Sequence, residues 1–124
     1  MRLGAFGQAL GRFAAGRPLL PGANATCRFE ADRCGYLGLV LVGGHPAVEP
    51  VEPDVASFTL SAGPHDLAAY LCGRTPLAPF VRAGQVSGDV VALSAVTGTF
   101  ETALWHSIAA ALDPAELVEF FHAS

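Results

Sequence analysis

The segment from Phe58 to Phe100 constrains this chain most, because its punctuation leaves few ways to lay it out. It reads FTLSAGPHDLAAYLCGRTPLAPFVRAGQVSGDVVALSAVTGTF. A strand over Val55 to Ser61 leads in. Pro64 suits a first helical turn, and Asp66 places a carboxylate at the positive end of the helix dipole. Gly73 closes that helix in the conformation glycine alone adopts at no cost. Thr75 is placed to cap a second short helix begun by Pro76, which Gly84 ends. The tight unit Gly84-Gln85-Val86-Ser87-Gly88-Asp89 follows, with Val86 in a short strand. Asp89 then caps a long apolar helix carrying Val90, Leu93, Val96, Thr97, Phe100 and Leu104.

Upstream, Leu3, Phe6, Leu10 and Phe13 recur at spacings of three and four, one face of a helix over residues 3–15. Gly4, Gly7 and Gly11 lie between them and each costs about 1 kcal/mol against Ala, so this helix depends on docking. Gly16, Pro18, Pro21 and Gly22 end it. Ala25 to Ala31 alternates as a strand, with Cys27 and Phe29 on one face and Arg28 and Glu30 on the other. Asp32-Arg33 reads as a turn. Tyr36 to Val42 is nearly all apolar and is expected to be covered on both faces. His45 to Val51, broken by Pro46 and Pro50, reads as an edge strand. Near the end, Asp113 and Glu116 form a capping-box pattern before a helix that presents Leu117, Phe120 and Phe121 to something apolar.

At 124 residues the chain reads as one domain, 1–124. It is 52% hydrophobic and only 15% charged, against an average charged share of about 25%. That surplus of apolar side chains suits a cavity, a partner interface or a membrane face. The formal net charge is −4 and the seven basic residues, all Arg, are scattered, which argues against nucleic acid as a partner. The four His, at 45, 65, 106 and 122, and the three Cys, at 27, 34 and 72, lack metal-ligand spacing, so neither metal nor other cofactor is expected. Cys27 and Cys34 are placed to face each other across a hairpin, although buried free thiols are the plainer reading. No Ser elbow or dinucleotide fingerprint is present. Residues 1–20 lack the apolar core of a signal peptide, and no run approaches the ~20 apolar residues of a membrane span, which leads us to expect a soluble, cytoplasmic protein.

Two units, Asp66-Leu67 with Leu71 and Gly73, and Gly84 through Asp89, carry a resemblance to the sterol carrier protein type 2 family. It is loose over residues 25–104 and close over 58–93. The resemblance implies an α+β fold, with a five-stranded, mostly antiparallel sheet whose helices on one face enclose an apolar cavity. It implies that an apolar molecule, a lipid or a sterol-like or polyketide-like compound, is held without chemistry. Tyr70, Leu77, Phe80, Val81, Val86, Leu93, Val96, Phe100 and Leu104 would line the cavity. Residues 105–124 stand beyond the resemblance as an added helical segment, which either caps the cavity or forms a homodimer surface.

The runner-up reading is a biosynthetic isomerase or cyclase acting on a polyketide-like or terpenoid-like substrate in the same pocket, since confinement alone can restrict a substrate to a reactive conformation. It would need an inward polar group, and Tyr70, Thr97, Glu101 and His106 are the candidates. A third reading is an interaction module without a cavity.

Overall fold

The computed structural model describes residues 3–16, 24–43 and 45–123. Alternation along the strands decides how they assemble. In β1 (Ala25–Ala31), Cys27, Phe29 and Ala31 are buried, and Thr26, Arg28 and Glu30 are half-exposed. In β2 (Tyr36–Val42), Leu37, Leu39 and Leu41 face the same side, because Leu39 pairs with Cys27 and Leu37 with Phe29. In β4 (Phe58–Ala62), Phe58, Leu60 and Ala62 join that face. With β3 (His45–Val48) and β5 (Val86–Gly88) these strands make a five-stranded sheet in the order β3-β2-β1-β4-β5. Three pairings are antiparallel, and β1 with β4 is parallel.

The parallel pairing forces residues 49–57 to cross from the β3 edge to the far side of β1. They pass over the outer face, and Gly38 lets them pass. A Cβ at Gly38 would collide with the Glu49 carbonyl oxygen and press on Val51, which is buried there. Polar outer-face side chains hold the crossover down. Arg28 Nη1 donates to Val51 O at 2.7 Å, and Thr26 Oγ1 donates to Val55 O at 2.6 Å. The Arg28 guanidinium also stacks 3.6 Å over the Tyr36 ring and pairs with Glu30 at 2.9 Å. The covering of β2 is therefore uneven: Gly38 is buried, whereas Val42, expected to be covered, is exposed. The third strand ends at Val48, earlier than expected, because Pro50 has no N–H to continue a ladder.

Among the described residues six helices accompany the sheet: α1 (Leu3–Gly16), α2 (Pro64–Leu71), α3 (Ala78–Arg82), α4 (Val90–Phe100), α5 (Ala103–Ala109) and α6 (Pro114–Ala123). The glycine-rich α1 does dock: Phe6, Leu10 and Phe13 are buried. Gly73 (φ +75°) closes α2, with Arg74 N donating to Ala69 O and Gly73 N to Tyr70 O, which satisfies two terminal carbonyls. Asp89 caps α4 as expected, its Oδ1 accepting from Ala92 N. Asp113 Oδ1 accepts from Ala115 N at the start of α6.

Two expectations are corrected. Thr75 does not cap α3, which begins at Ala78 with Leu77 at its cap position; Thr75 Oγ1 is instead buried with no hydrogen-bond partner among the described residues. The long apolar helix does not run through Leu104. Thr102 breaks it, its hydroxyl accepting from Trp105 N at 3.1 Å, and so starts α5. The segment from Trp105 onward packs into the core. Trp105 has no exposed surface and stands edge-on to Phe6, Phe13 and Phe100, with ring centroids 5.9, 6.1 and 5.1 Å away. Leu117 and Phe121 of α6 are buried where that helix packs on α2.

Trp105→Ala should therefore cost about 3–5 kcal/mol, as large-to-small changes at fully buried aromatic positions do. Asp89→Ala, which removes only a cap, should cost about 0.5–2 kcal/mol. Urea unfolding of both variants checks the ranking; equal losses would contradict it.

Candidate functional site

The clearest apolar hollow among the described residues lies where β3 stops. After Glu49 N donates to Gly38 O, the chain turns away at Pro50, and the outer edge of β2 from Tyr36 to Gly38 is left without a neighbouring strand. Helix α6 lies along the opening, with Phe120 half-exposed toward it. The hollow has a volume of about 460 Å³ and a mostly apolar wall of Gly35, Tyr36, Leu37, Gly38, Val48, Glu49, Pro50 and Phe120. That volume falls within the range of roughly 300–1,000 Å³ typical of small-molecule sites. The β1–β2 turn and α6 are fastened together at its end, Gly35 N donating to Phe121 O at 2.8 Å.

The residues expected to line a cavity divide into three groups. Tyr70, Phe80, Leu93, Val96 and Phe100 are buried together between sheet and helices. Their rings meet edge to face, Tyr70 being 5.6 Å from both Phe80 and Phe100, and Phe100 being 6.3 Å from Phe29 on the sheet. Leu77 and Val86 are half-buried at the margin of this layer. Val81 and Leu104 are 51% and 40% exposed and point away from it. For Leu104 the cause is the helix break at Thr102, which rotates the residue out of the stripe containing Phe100.

The polar candidates are not gathered around that layer. Glu101 and His106 meet in a separate hollow of about 240 Å³, lined also by Gly73, Arg74, Thr75 and Pro76. His106 Nε2 lies 3.0 Å from Phe100 O and must donate to it, so Nδ1 carries no proton in the neutral ring. The same ring lies against Gly73, where any Cβ would strike it. Arg74 Nη2 donates to Leu112 O at 3.3 Å. These contacts tie the α2 end to α5 and the α5–α6 turn. Tyr70 lies in the ring layer instead, and the Thr97 side chain lies outside the described residues. Among the described residues no three His, Cys, Asp or Glu side chains are grouped to hold a metal.

The cysteines are free. Cys27 and Cys34 do not face each other, since Cys27 sits opposite Leu39 in the sheet and Cys34 lies in the turn after β1. Burial pushes the Cys27 thiol from an ordinary 9.0 up to about 12. It pushes Cys72 up to about 11, with Arg74 lowering and Asp113 raising the result. Cys34 is half-buried and its Sγ stands 3.3 Å from His122 Nδ1 on α6.

Two signals in the sequence bear on the hollow. A glycine inside the apolar run, Gly38, marks a close approach of backbone, and Pro50 marks the end of the edge strand. Neither indicates that Phe120 would turn toward the gap they leave.

No protein-family model and no curated protein matches the chain. Among solved structures, the palmitated SCP2L2 of Aedes aegypti, determined in solution by NMR, superposes with a TM-score of 0.55 over 81% of this chain and 91% of that one, at 12% identity. The chain has the SCP2-like fold. A GCN5-related N-acetyltransferase from Kribbella flavida aligns over 79% of this chain but only 24% of its own length, with 25% identity and a TM-score of 0.36. The SCP2-like fold is the α+β arrangement expected from the residues between Phe58 and Asp89. No helix among the described residues is long and apolar enough to cross a membrane.

The raised thiols set a pH dependence. In the unfolded chain Cys27 and Cys72 ionise near 9.0, whereas in the folded chain they hold their protons to about 12 and 11. Their contribution to stability is therefore intact below pH 9.0 and is lost as pH rises through the interval above it. Unfolding midpoints should fall between about pH 8 and pH 10, and less so in the Cys27→Ala variant compared with its own value at about pH 8. An unchanged slope in that variant would remove Cys27 as a cause.

Proposed function

We propose that the protein binds and carries an apolar small molecule, a lipid or a sterol-like or polyketide-like compound. The observation that carries this reading is the hollow of about 460 Å³ with a mostly apolar wall beside Leu37, Val48 and Phe120. The fold supports it, since the SCP2L2 structure of the same fold is of a palmitated protein. In our reading the ligand enters at this hollow, and the layer of Tyr70, Leu77, Phe80, Val86, Leu93, Val96 and Phe100 receives its inner end. Val81 and Leu104, half-exposed, are left out of the contact set. No cofactor enters this reading, and the carrier acts without nucleic acid.

The enzyme reading gains nothing from the hollow of Glu101 and His106. Those side chains share it with Arg74, whose guanidinium is engaged by the Leu112 carbonyl, and with Thr75, and no activated nucleophile stands among them.

Titration of the full chain with an environment-sensitive fluorescent fatty acid, displaced by unlabelled hexadecanoate, tests the reading. Saturable binding is expected. Val48→Glu, which places a charge in the wall, should weaken it at least tenfold, since burying an unpaired carboxylate costs more than the 1.4 kcal/mol that a factor of ten represents. Phe120→Ala should weaken it less and leave the fold intact, because Phe120 is half-exposed. Phe100→Ala separates the two parts of the contact set. If it alters affinity and Val48→Glu does not, entry at the hollow is wrong. If no apolar probe binds saturably, the carrier reading fails.

A further inference from the structure

We infer that Cys34 and His122 form an acyl-acceptor pair at the end of the apolar hollow, taking an acyl group from a long-chain acyl thioester. This inference rests on the proposed use of the hollow and adds a covalent step to it. Two independent observations meet here. The first is a thiol within hydrogen-bond reach of an imidazole, Cys34 Sγ being 3.3 Å from His122 Nδ1 on an element distant in sequence. A nucleophile in reach of a base is the geometric signature of an activated thiol. The second is the hollow itself, whose wall begins at Gly35, next to Cys34, and includes Phe120, two residues before His122. The Gly35 N to Phe121 O hydrogen bond at 2.8 Å clamps the turn to the helix between them, so thiol, imidazole and hollow are held by one junction.

The chemistry follows from these parts. With its proton on Nε2, His122 accepts the Cys34 S–H through Nδ1 and takes that proton as the sulfur attacks the thioester carbonyl carbon. A new carbon–sulfur bond forms to Cys34, and the bond to the donor thiol breaks. The departing thiolate recovers the proton from the imidazolium. One thioester replaces another, so no oxidant, reductant or energy source is needed. An apolar acyl chain lying along Leu37, Val48 and Phe120 would hold the carbonyl near Cys34. Selectivity is built in, because the other two thiols, Cys27 and Cys72, are buried and hold their protons far above neutrality.

The test is to incubate the full chain near neutral pH with hexadecanoyl and acetyl thioesters of N-acetylcysteamine and follow intact mass. One hexadecanoyl group is expected, mapped to Cys34 by peptide mass spectrometry and released by hydroxylamine. The acetyl thioester should react at least about tenfold more slowly, since each buried methylene of the long chain contributes about 0.8 kcal/mol. Cys34→Ser should take no acyl group. His122→Gln should slow the reaction about tenfold, because a free thiol is only a few per cent thiolate near pH 7, while still binding hexadecanoate with unchanged affinity. Hexadecanoate binding without any adduct would overturn the acyl step and leave the carrier reading standing. Equal rates for the two thioesters, or no effect of His122→Gln, would show an ordinary surface thiol and overturn it. Failure of both adduct and hexadecanoate binding would remove the inference together with the reading it rests on.

Discussion

The carbonyl of Leu71 ends α2 with no partner inside that helix, and the Trp105 indole supplies one at 3.1 Å. Much of the helical layer depends on this buried hydrogen bond. It fixes where the largest ring in the core lies, and Phe6, Phe13 and Phe100 then pack edge-on around it. One residue later His106 lies against Gly73 and donates to the Phe100 carbonyl, so the ends of α2 and α4 are secured by neighbouring side chains of α5. A carbonyl left unpaired in such a place would cost roughly 1–3 kcal/mol. The indole removes that cost while burying more apolar surface than any other side chain could.

The sheet is held by a different device. Its parallel pair, β1 with β4, requires a long connection over the outer face, and that face is polar enough to bind a backbone. Arg28 is central there, engaging Val51, Glu30 and Tyr36 at once. The half-buried salt bridge adds little by itself, since its carboxylate is well exposed. The hydrogen bond to a carbonyl and the stacking on Tyr36 fix the path of the crossover. That path takes the chain off the β2 edge at Pro50 and opens the apolar hollow. The hollow is thus a consequence of topology and not of a local excess of apolar residues.

The legible parts of the fold were those with local causes. Alternation in Ala25 to Ala31, the Gly73 closure and the Asp89 and Asp113 caps each depend on a few adjacent residues, and each is where the sequence places it. The helix expected to run through Leu104 hid its break at Thr102, because a threonine in an apolar helical pattern looks like one more tolerated residue, and only its bond to Trp105 N shows that it starts a new helix. Thr75 had the right chemistry for a cap, but the helix begins later, at Ala78. Of the residues expected around a ligand, the buried ones share a layer because helical spacing determines a face. The hollow could not be read, since its wall joins residues near 36, near 49 and at 120, which no periodicity links. The same distance in sequence hid the Cys34–His122 pair.

The glycine-rich α1 packs on β3, near it in sequence, and on Trp105, near the opposite end of the described chain. A helix with such low intrinsic propensity has little reason to persist before its partners exist. Its seating is therefore completed in two stages, on the sheet first and under α5 last. The burial of the Phe6 and Phe13 edges that Trp105 covers would report completion of the core.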